Sequence, residues 1–148
     1  MNLKLQNRAF EIVAPHLQPG ETPLAAARAM VGKFSAGRMG TALKQGLLLE
    51  AGGAIGAHLA TAGAKQFPVV TDRRVFFLPQ TFLGGPGKKI LGEIPRDQVR
   101  LVEVQMGFMS LLRLAFGDQG DGLSLTFPRS DRKNAQALAD ALQTTPVA

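Results

Sequence analysis

The stretch that decides the fold is a pair of alternating runs, LLRLAFG (111–117) and GLSLTFP (122–128). Large apolar residues occupy every second position of both runs: Leu112, Leu114, Phe116, Leu123, Leu125 and Phe127. A period of two is typical of a strand with one buried face. The residues between the runs, Asp118–Asp121 with a glycine on either side, have the composition of a turn. The sequence therefore predicts a β-hairpin here.

Shorter strand patterns precede this hairpin. VVTDRRVFFLPQ (69–80) predicts one strand with a bend or bulge at Thr71–Asp72, and FLGGPGKK (82–89) predicts a loop. ILGEIPRDQV (90–99) predicts a short strand that ends at Pro95. Because Phe76 and Phe77 are adjacent, we expect one of these rings to leave the core face.

The run RLVEVQM (100–106) also alternates. It predicts a strand with Val102, Val104 and Met106 on one face and with Glu103 and Gln105 on the other.

Helices are predicted near both ends of the chain. Residues 3–17 place apolar side chains on one helical face: Leu3, Phe10, Val13 and Leu17. Residues 130–143 predict a C-terminal helix with Ser130 or Asp131 as its N-cap. Its apolar stripe is Ala135, Leu138 and Leu142. Helices that flank consecutive antiparallel strands make the expected fold class α+β.

The segment 33–66 is rich in glycine and alanine. Within it, residues 46–64 predict a helix with a ladder of small residues: Gly52, Gly56, Ala60 and Ala64. Interior glycines destabilise an isolated helix, so another surface must pack closely against this one. Because Glu50 and His58 interrupt the apolar run, packing against its own domain or a second copy is favoured over a membrane span.

Composition limits the function. The 148 residues suit a single domain, and the absence of cysteine excludes a disulfide framework, a thiolate nucleophile and a cysteine zinc site. The net charge of +6 favours an anionic partner. The candidate ligands for an anion are Lys33, Arg38, Lys44, Arg73 and Arg74.

Catalytic and cofactor motifs are not found in the sequence. His16 and His58 have no second ligand at helical spacing, so no metal site is expected. Gly84–Lys89 departs from a Walker loop and is interpreted as a hairpin loop. We therefore expect that the protein is not an enzyme and that it binds no cofactor. Because no apolar run of signal-peptide length opens the sequence, a cytoplasmic location is expected.

Three short motifs resemble bacterial pleckstrin-homology-like (PH-like) domains. Val70, Thr71, Asp72 and Arg74 match a Val-Thr-Asp-x-Arg strand motif, and Ile94, Pro95 and Val99 match Ile-Pro-x-x-x-Val. LQPGETPLAAARAMV (17–31) is similar to the family's first strand, which favours a strand over residues 24–31. The resemblance implies a bent antiparallel β-barrel capped by the C-terminal helix. The helix 3–17 and the insert 33–66 are additions to that pattern.

The resemblance implies a non-catalytic binding scaffold. The first expectation is contact with other proteins, including self-association into a homo-oligomer through the small-residue ladder. The alternative is a peripheral membrane module that binds anionic lipid headgroups on the inner face through the five basic candidates. Nucleic-acid binding is not expected, because Phe116 and Phe127 alternate with the core leucines rather than forming an exposed stacking surface.

Overall fold

The computed structural model describes residues 3–35, 65–116 and 121–144. Over these residues the fold is α+β, with one antiparallel sheet of eight strands and a helix near each end of the chain. The helices are α1 (Leu3–Val13) and α2 (Arg132–Gln143). The strands are β1 (Pro23–Ala26), β2 (Ala29–Ser35), β3 (Lys65–Thr71), β4 (Arg74–Pro79), β5 (Gly92–Pro95), β6 (Val99–Gln105), β7 (Ser110–Phe116) and β8 (Asp121–Phe127).

The sheet has the order β5-β4-β3-β2-β8-β7-β6, and β1 pairs with β3 beside β2. The predicted strand over 24–31 is confirmed, but Ala27 and Arg28 divide it into β1 and β2. β1 pairs with β3, whereas β2 pairs with β3 only at Ala29 and Met30 and then follows β8. This divided strand therefore joins the two halves of the sheet.

The predicted hairpin is confirmed as β7 and β8. Leu112 lies opposite Leu125, and Leu114 lies opposite Leu123. The six large apolar residues of the two runs are all buried. They belong to the main core, which we define by its largest members: Phe77, Ile94, Leu112, Leu114, Phe116, Leu123, Leu125, Phe127 and Leu138.

The prediction of one bent strand over 69–80 is wrong, since β3 and β4 are two strands of a hairpin. Thr71 forms the turn between them. Its hydroxyl accepts the backbone N–H groups of Arg73 at 3.0 Å and Arg74 at 2.8 Å. A Ser or Thr hydroxyl that bonds the backbone two or three residues ahead stabilises a tight turn.

As expected, one of the adjacent phenylalanines leaves the main core face, but this ring is buried on the other face instead of being exposed. Phe77 is buried in the main core on one face of the sheet. Phe76 is buried on the other face, because α1 covers it. This second core consists of Ala9, Val13, Ala26, Phe67, Val69, Phe76 and Leu78.

β6 departs from the predicted face pattern. The register against β7 shifts between Leu101 and Glu103, which makes Val102 the extra residue of a bulge. Leu101 packs against the main core, while Val102 is 41% exposed. The predicted face of Val102, Val104 and Met106 is therefore broken, because an extra residue changes which side chains point inward.

The N-terminal helix is confirmed and ends at Val13, where a 3₁₀ turn from Ala14 to His16 begins. Pro15 lies in that turn and lacks the N–H that would continue the α-helix. Ala9 and Val13 are buried, whereas Leu3 is exposed despite its predicted place on the apolar face.

The C-terminal helix is confirmed, with Ala135 and Leu138 of its stripe buried and Leu142 half-buried, and of the two expected caps it is Asp131 that takes the N-cap position. Asp131 makes no side-chain capping bond to the backbone. Its carboxylate instead accepts Arg28 Nε at 3.0 Å and Asn134 Nδ2 at 3.1 Å. Arg28 lies at the break between β1 and β2, so the carboxylate ties α2 to that break.

The C-terminal end of α2 is tied to the sheet by a buried arginine. Arg96 donates to Leu142 O at 3.2 Å, to Thr144 O at 2.5 Å and to Thr71 O at 3.1 Å. Burial lowers the pKa of this guanidinium. A cation at a helix C-terminus satisfies carbonyls that have no partner within the helix.

Over the described residues the sheet does not close on itself, and β5 and β6 are its two edges. The predicted helix over 46–64 lies outside the described residues, as does most of the insert 33–66.

Candidate functional site

The Thr71–Arg74 turn carries two of the predicted anion ligands. The Arg74 guanidinium donates to both carboxylate oxygens of Glu21, at 2.6 and 3.1 Å, and to Glu93 Oε2 at 3.2 Å. It also donates to His16 O at 2.7 Å and lies 4.6 Å from the centre of the Phe76 ring. The hydrogen bond to Glu21 raises the pKa of Arg74. These contacts hold Arg74 within the fold.

Glu21 is the buried partner in this arrangement. Its side chain is fully buried and accepts the Thr71 hydroxyl at 2.6 Å and the Gln18 backbone N–H at 2.9 Å, besides Arg74. Burial raises the pKa of Glu21, but the hydrogen bonds from Arg74, Thr71 and Gln18 outweigh burial and lower it to about 2. A carboxylate with several donors is stabilised in its charged form.

Arg73 is the second predicted anion ligand of this turn, and its Nη1 donates to Gln18 Oε1 at 3.1 Å. The structure does not place the other three in the turn, since Lys33 belongs to β2 and Arg38 and Lys44 lie outside the described residues. The predicted self-association residues Gly52, Gly56, Ala60 and Ala64 also lie outside them. Anion binding by the basic set stays a prediction.

A cleft separates α1 from the loop that follows β4. It has a volume of about 600 Å³. The helix side and its 3₁₀ extension contribute Arg8, Glu11, Ile12 and Pro15, and the loop contributes Thr81, Pro86, Gly87 and Lys88. Arg8, Glu11, Ile12 and Pro15 follow the three- and four-residue spacing of one helix face. Sequence reasoning did not bring Arg8 and Lys88 together, because their proximity depends on how α1 packs.

The structure has a loop over 80–89, which includes the predicted loop 82–89, and its internal hydrogen bonds give it a defined shape. Thr81 N donates to Gly85 O at 2.7 Å, and Gly84 N donates to Thr81 O at 2.9 Å. Gly84 has a φ of +86°, in the left-handed region that glycine adopts without strain. A turn with these bonds fixes the direction of the residues at its tip.

Two large apolar side chains project from this loop. Phe82 is 102% exposed and Leu83 is 90% exposed. The sequence contains a sign of this exposure, because Phe82 and Leu83 begin a stretch of glycine, proline and lysine that has no strand or helix pattern. These two adjacent apolar side chains lie outside both cores and form a candidate contact surface.

The β6 edge is a second apolar surface. Val102 and Val104 are 41% and 39% exposed, and the following turn exposes Phe108 and Met109. An edge strand also presents backbone N–H and C=O groups that have no strand partner on its outer side.

Within the described ranges, no group of three or more histidine or acidic residues could hold a metal ion. Neither helix of the described structure is long and apolar enough to span a membrane. In the comparisons with known proteins, no family model and no curated protein matches this chain.

Proposed function

We propose that this chain is a PH-like binding module that acts through contacts with other protein chains and with copies of itself. The three motifs that suggested the family meet in the structure, which supports the assignment. Glu21, from the segment 17–31, binds Thr71 and Arg74 of the Val-Thr-Asp-x-Arg motif. Arg74 lies opposite Pro95 of the Ile-Pro-x-x-x-Val motif. The packing of α2 on the main core agrees with a C-terminal helix that caps a bent sheet.

We propose the outer edge of β6 as the surface through which two copies of the chain associate. β6 is seven residues long and lies at the end of the sheet order. A second copy can pair its own β6 with this edge around a twofold axis, which joins two sheets and covers Val102 and Val104. The small-residue ladder over Gly52–Ala64 remains the alternative contact.

Sedimentation equilibrium at high micromolar concentration tests self-association. We expect the wild type to form an oligomer and Val104→Lys to shift it toward monomer, because a buried lysine opposes edge pairing. Leu24→Lys is the matched control, since Leu24 is 38% exposed on β1. It should leave the assembly unchanged.

The same measurement on Gly56→Leu decides between the two contacts. If Gly56→Leu dissociates the oligomer while Val104→Lys does not, the ladder is the interface and the β6 proposal is wrong. A monomeric wild type at high micromolar concentration would overturn self-association through either surface.

A second candidate function is attachment to an anionic membrane, and the exposed Phe82 and Leu83 favour it. Lys88 and Lys89, five to seven residues further along the chain, are both exposed. Apolar residues that enter the headgroup region beside lysines that contact anionic lipids are the two attractions of peripheral membrane binding.

Cosedimentation with vesicles tests this second function. We expect binding to phosphatidylglycerol vesicles and not to phosphatidylcholine vesicles, with weakening as salt increases. The double variant Phe82→Ser with Leu83→Ser should lose most of the binding. Val102→Ser with Val104→Ser, which removes apolar side chains elsewhere, should retain it. No binding of the wild type at low salt would contradict the membrane function.

A further inference from the structure

The cleft between α1 and the loop over 80–89 has a polar and an apolar part. Arg8 projects from the helix side and Lys88 from the loop side, and both residues are exposed. Neither forms an ion pair within the described structure, although Glu11 also lines the cleft. Two cations from opposite walls outnumber this carboxylate, so the polar part favours an anion.

The apolar part of the cleft is formed by Ile12, Pro15 and Pro86. Ile12 packs against the second core, and Pro86 is buried. An apolar wall beside a few charged groups is typical of sites that bind small amphipathic molecules. Inorganic phosphate alone would leave this wall in contact with water.

The walls of the cleft are held in place before any ligand binds. On the helix side, Ala9 and Val13 are buried in the second core. On the loop side, Gly87 N donates to Pro79 O at 2.7 Å, and a Cβ at Gly87 would lie 2.8 Å from Pro79 Cγ. A preformed site loses little conformational entropy on binding, which favours affinity.

We propose that this cleft binds an amphipathic anion, in which a phosphate or carboxylate contacts Arg8 and Lys88 while an apolar chain lies along Ile12, Pro15 and Pro86. Two kinds of molecule carry such an anion and apolar chain: a free single-chain amphiphile and a phospholipid in a bilayer. The inference goes beyond both functions proposed above. It shares Lys88 with the membrane function, but it adds Arg8 and the apolar wall, which neither the β6 edge nor the loop tip supplies.

Calorimetric titration of the full chain with n-octyl phosphate, kept below its micelle-forming concentration, tests the cleft. We expect saturable binding of n-octyl phosphate, and no measurable binding of inorganic phosphate or of octyltrimethylammonium. Inorganic phosphate that binds as tightly as n-octyl phosphate would show that the apolar wall contributes nothing, and the proposal would fail.

Substitutions that remove one charge test whether the ligand binds in the cleft. Arg8→Gln should weaken binding roughly tenfold, because it removes one charge-assisted contact with the anion. Arg100→Gln removes the same charge from an exposed position on β6 and is the matched control. It should leave the affinity unchanged, since Arg100 does not line the cleft.

Lys88→Glu gives a result that general loss of structure would not produce. With Glu11 it places two carboxylates in the cleft, so binding of n-octyl phosphate should be lost and octyltrimethylammonium should now bind. Equal affinities of n-octyl phosphate for the wild type, Arg8→Gln and Lys88→Glu would place the ligand elsewhere and overturn the proposal.

Phosphatidylglycerol vesicles distinguish the two sources. If Arg8→Gln weakens vesicle binding as strongly as it weakens n-octyl phosphate binding, the bilayer is the source of the ligand, because Arg8 lines the cleft and takes no part in the loop-tip membrane function. If n-octyl phosphate binds and vesicles do not, the ligand is a free molecule and the membrane function fails while the cleft proposal stands.

Discussion

Gly122→Ala is expected to destabilise the protein by about 3 kcal/mol or more, beyond the usual upper range of overpacking. Gly122 lies in β8 opposite Ala115 of β7. A Cβ on Gly122 would lie 1.7 Å from Leu114 O, 2.8 Å from Leu114 C and 3.0 Å from Ala115 Cα. These are backbone atoms of the neighbouring strand, so no side-chain rotation relieves the contact. The strands must separate at the turn end of the hairpin, directly beside the core pair of Leu114 and Leu123.

Urea unfolding of the wild type and of Gly122→Ala measures this effect. Gly107→Ala is the matched control, because the nearest atom to its added Cβ is Met109 O at 4.0 Å. The control should change the free energy of unfolding by less than about 0.5 kcal/mol. Equal stability of the two variants would show that β7 and β8 approach one another less closely at Gly122 than the structure indicates.

The hairpin itself could be predicted from sequence because its signal is local. Alternating leucines and phenylalanines over 111–127 determine which face is buried wherever the hairpin packs. The role of Gly122 could not be predicted in the same way. The sequence pattern predicts that Gly122 borders a turn. In the structure its lack of a side chain allows the Leu114 carbonyl to lie close to its Cα.

Phe76 shows a second feature that could not be predicted from the sequence, namely which element covers each face of a strand. Alternation predicts that adjacent residues face opposite sides of a strand, and the structure agrees with that. Alternation does not predict which helix or strand covers each side. The burial of Phe76 depends on α1, which is more than 60 residues away along the chain and packs on the outer face of β3 and β4. The bulge at Val102 is likewise set by pairing with β7 rather than by its own residues.

The candidate site was predicted poorly for the same reason. Charge alone pointed to Arg73 and Arg74, but Glu21, 53 residues before Arg74, binds that guanidinium. Charge alone also left Arg8 and Lys88 in separate segments, although the packing of α1 places them around one cleft. Local patterns predicted the strands, while the partners of the charged residues depended on tertiary contacts.

The Glu21–Arg74 contact predicts how stability responds to acid. The folded pKa of Glu21 is about 2, against 4.5 for the unperturbed carboxyl. Because the folded pKa is the lower one, the charged carboxylate stabilises the folded state at every pH above the unfolded value. This contribution is lost as pH falls from about 4.5 to about 2. Its full size is about 3 kcal/mol, from the difference between the two pKa values.

Glu21→Gln isolates this contribution, since glutamine fills the same space without the charge. The variant should be about 3 kcal/mol less stable than the wild type near pH 6, and the difference should fall close to zero near pH 2. Glu93→Gln removes the other, half-exposed carboxylate bound to Arg74 and should cost less than about 1 kcal/mol. Urea unfolding of the three proteins across this pH range provides the measurement. If the difference between wild type and Glu21→Gln stays constant with pH, Glu21 does not supply the acid-sensitive stability, and its contact with Arg74 acts through shape rather than charge.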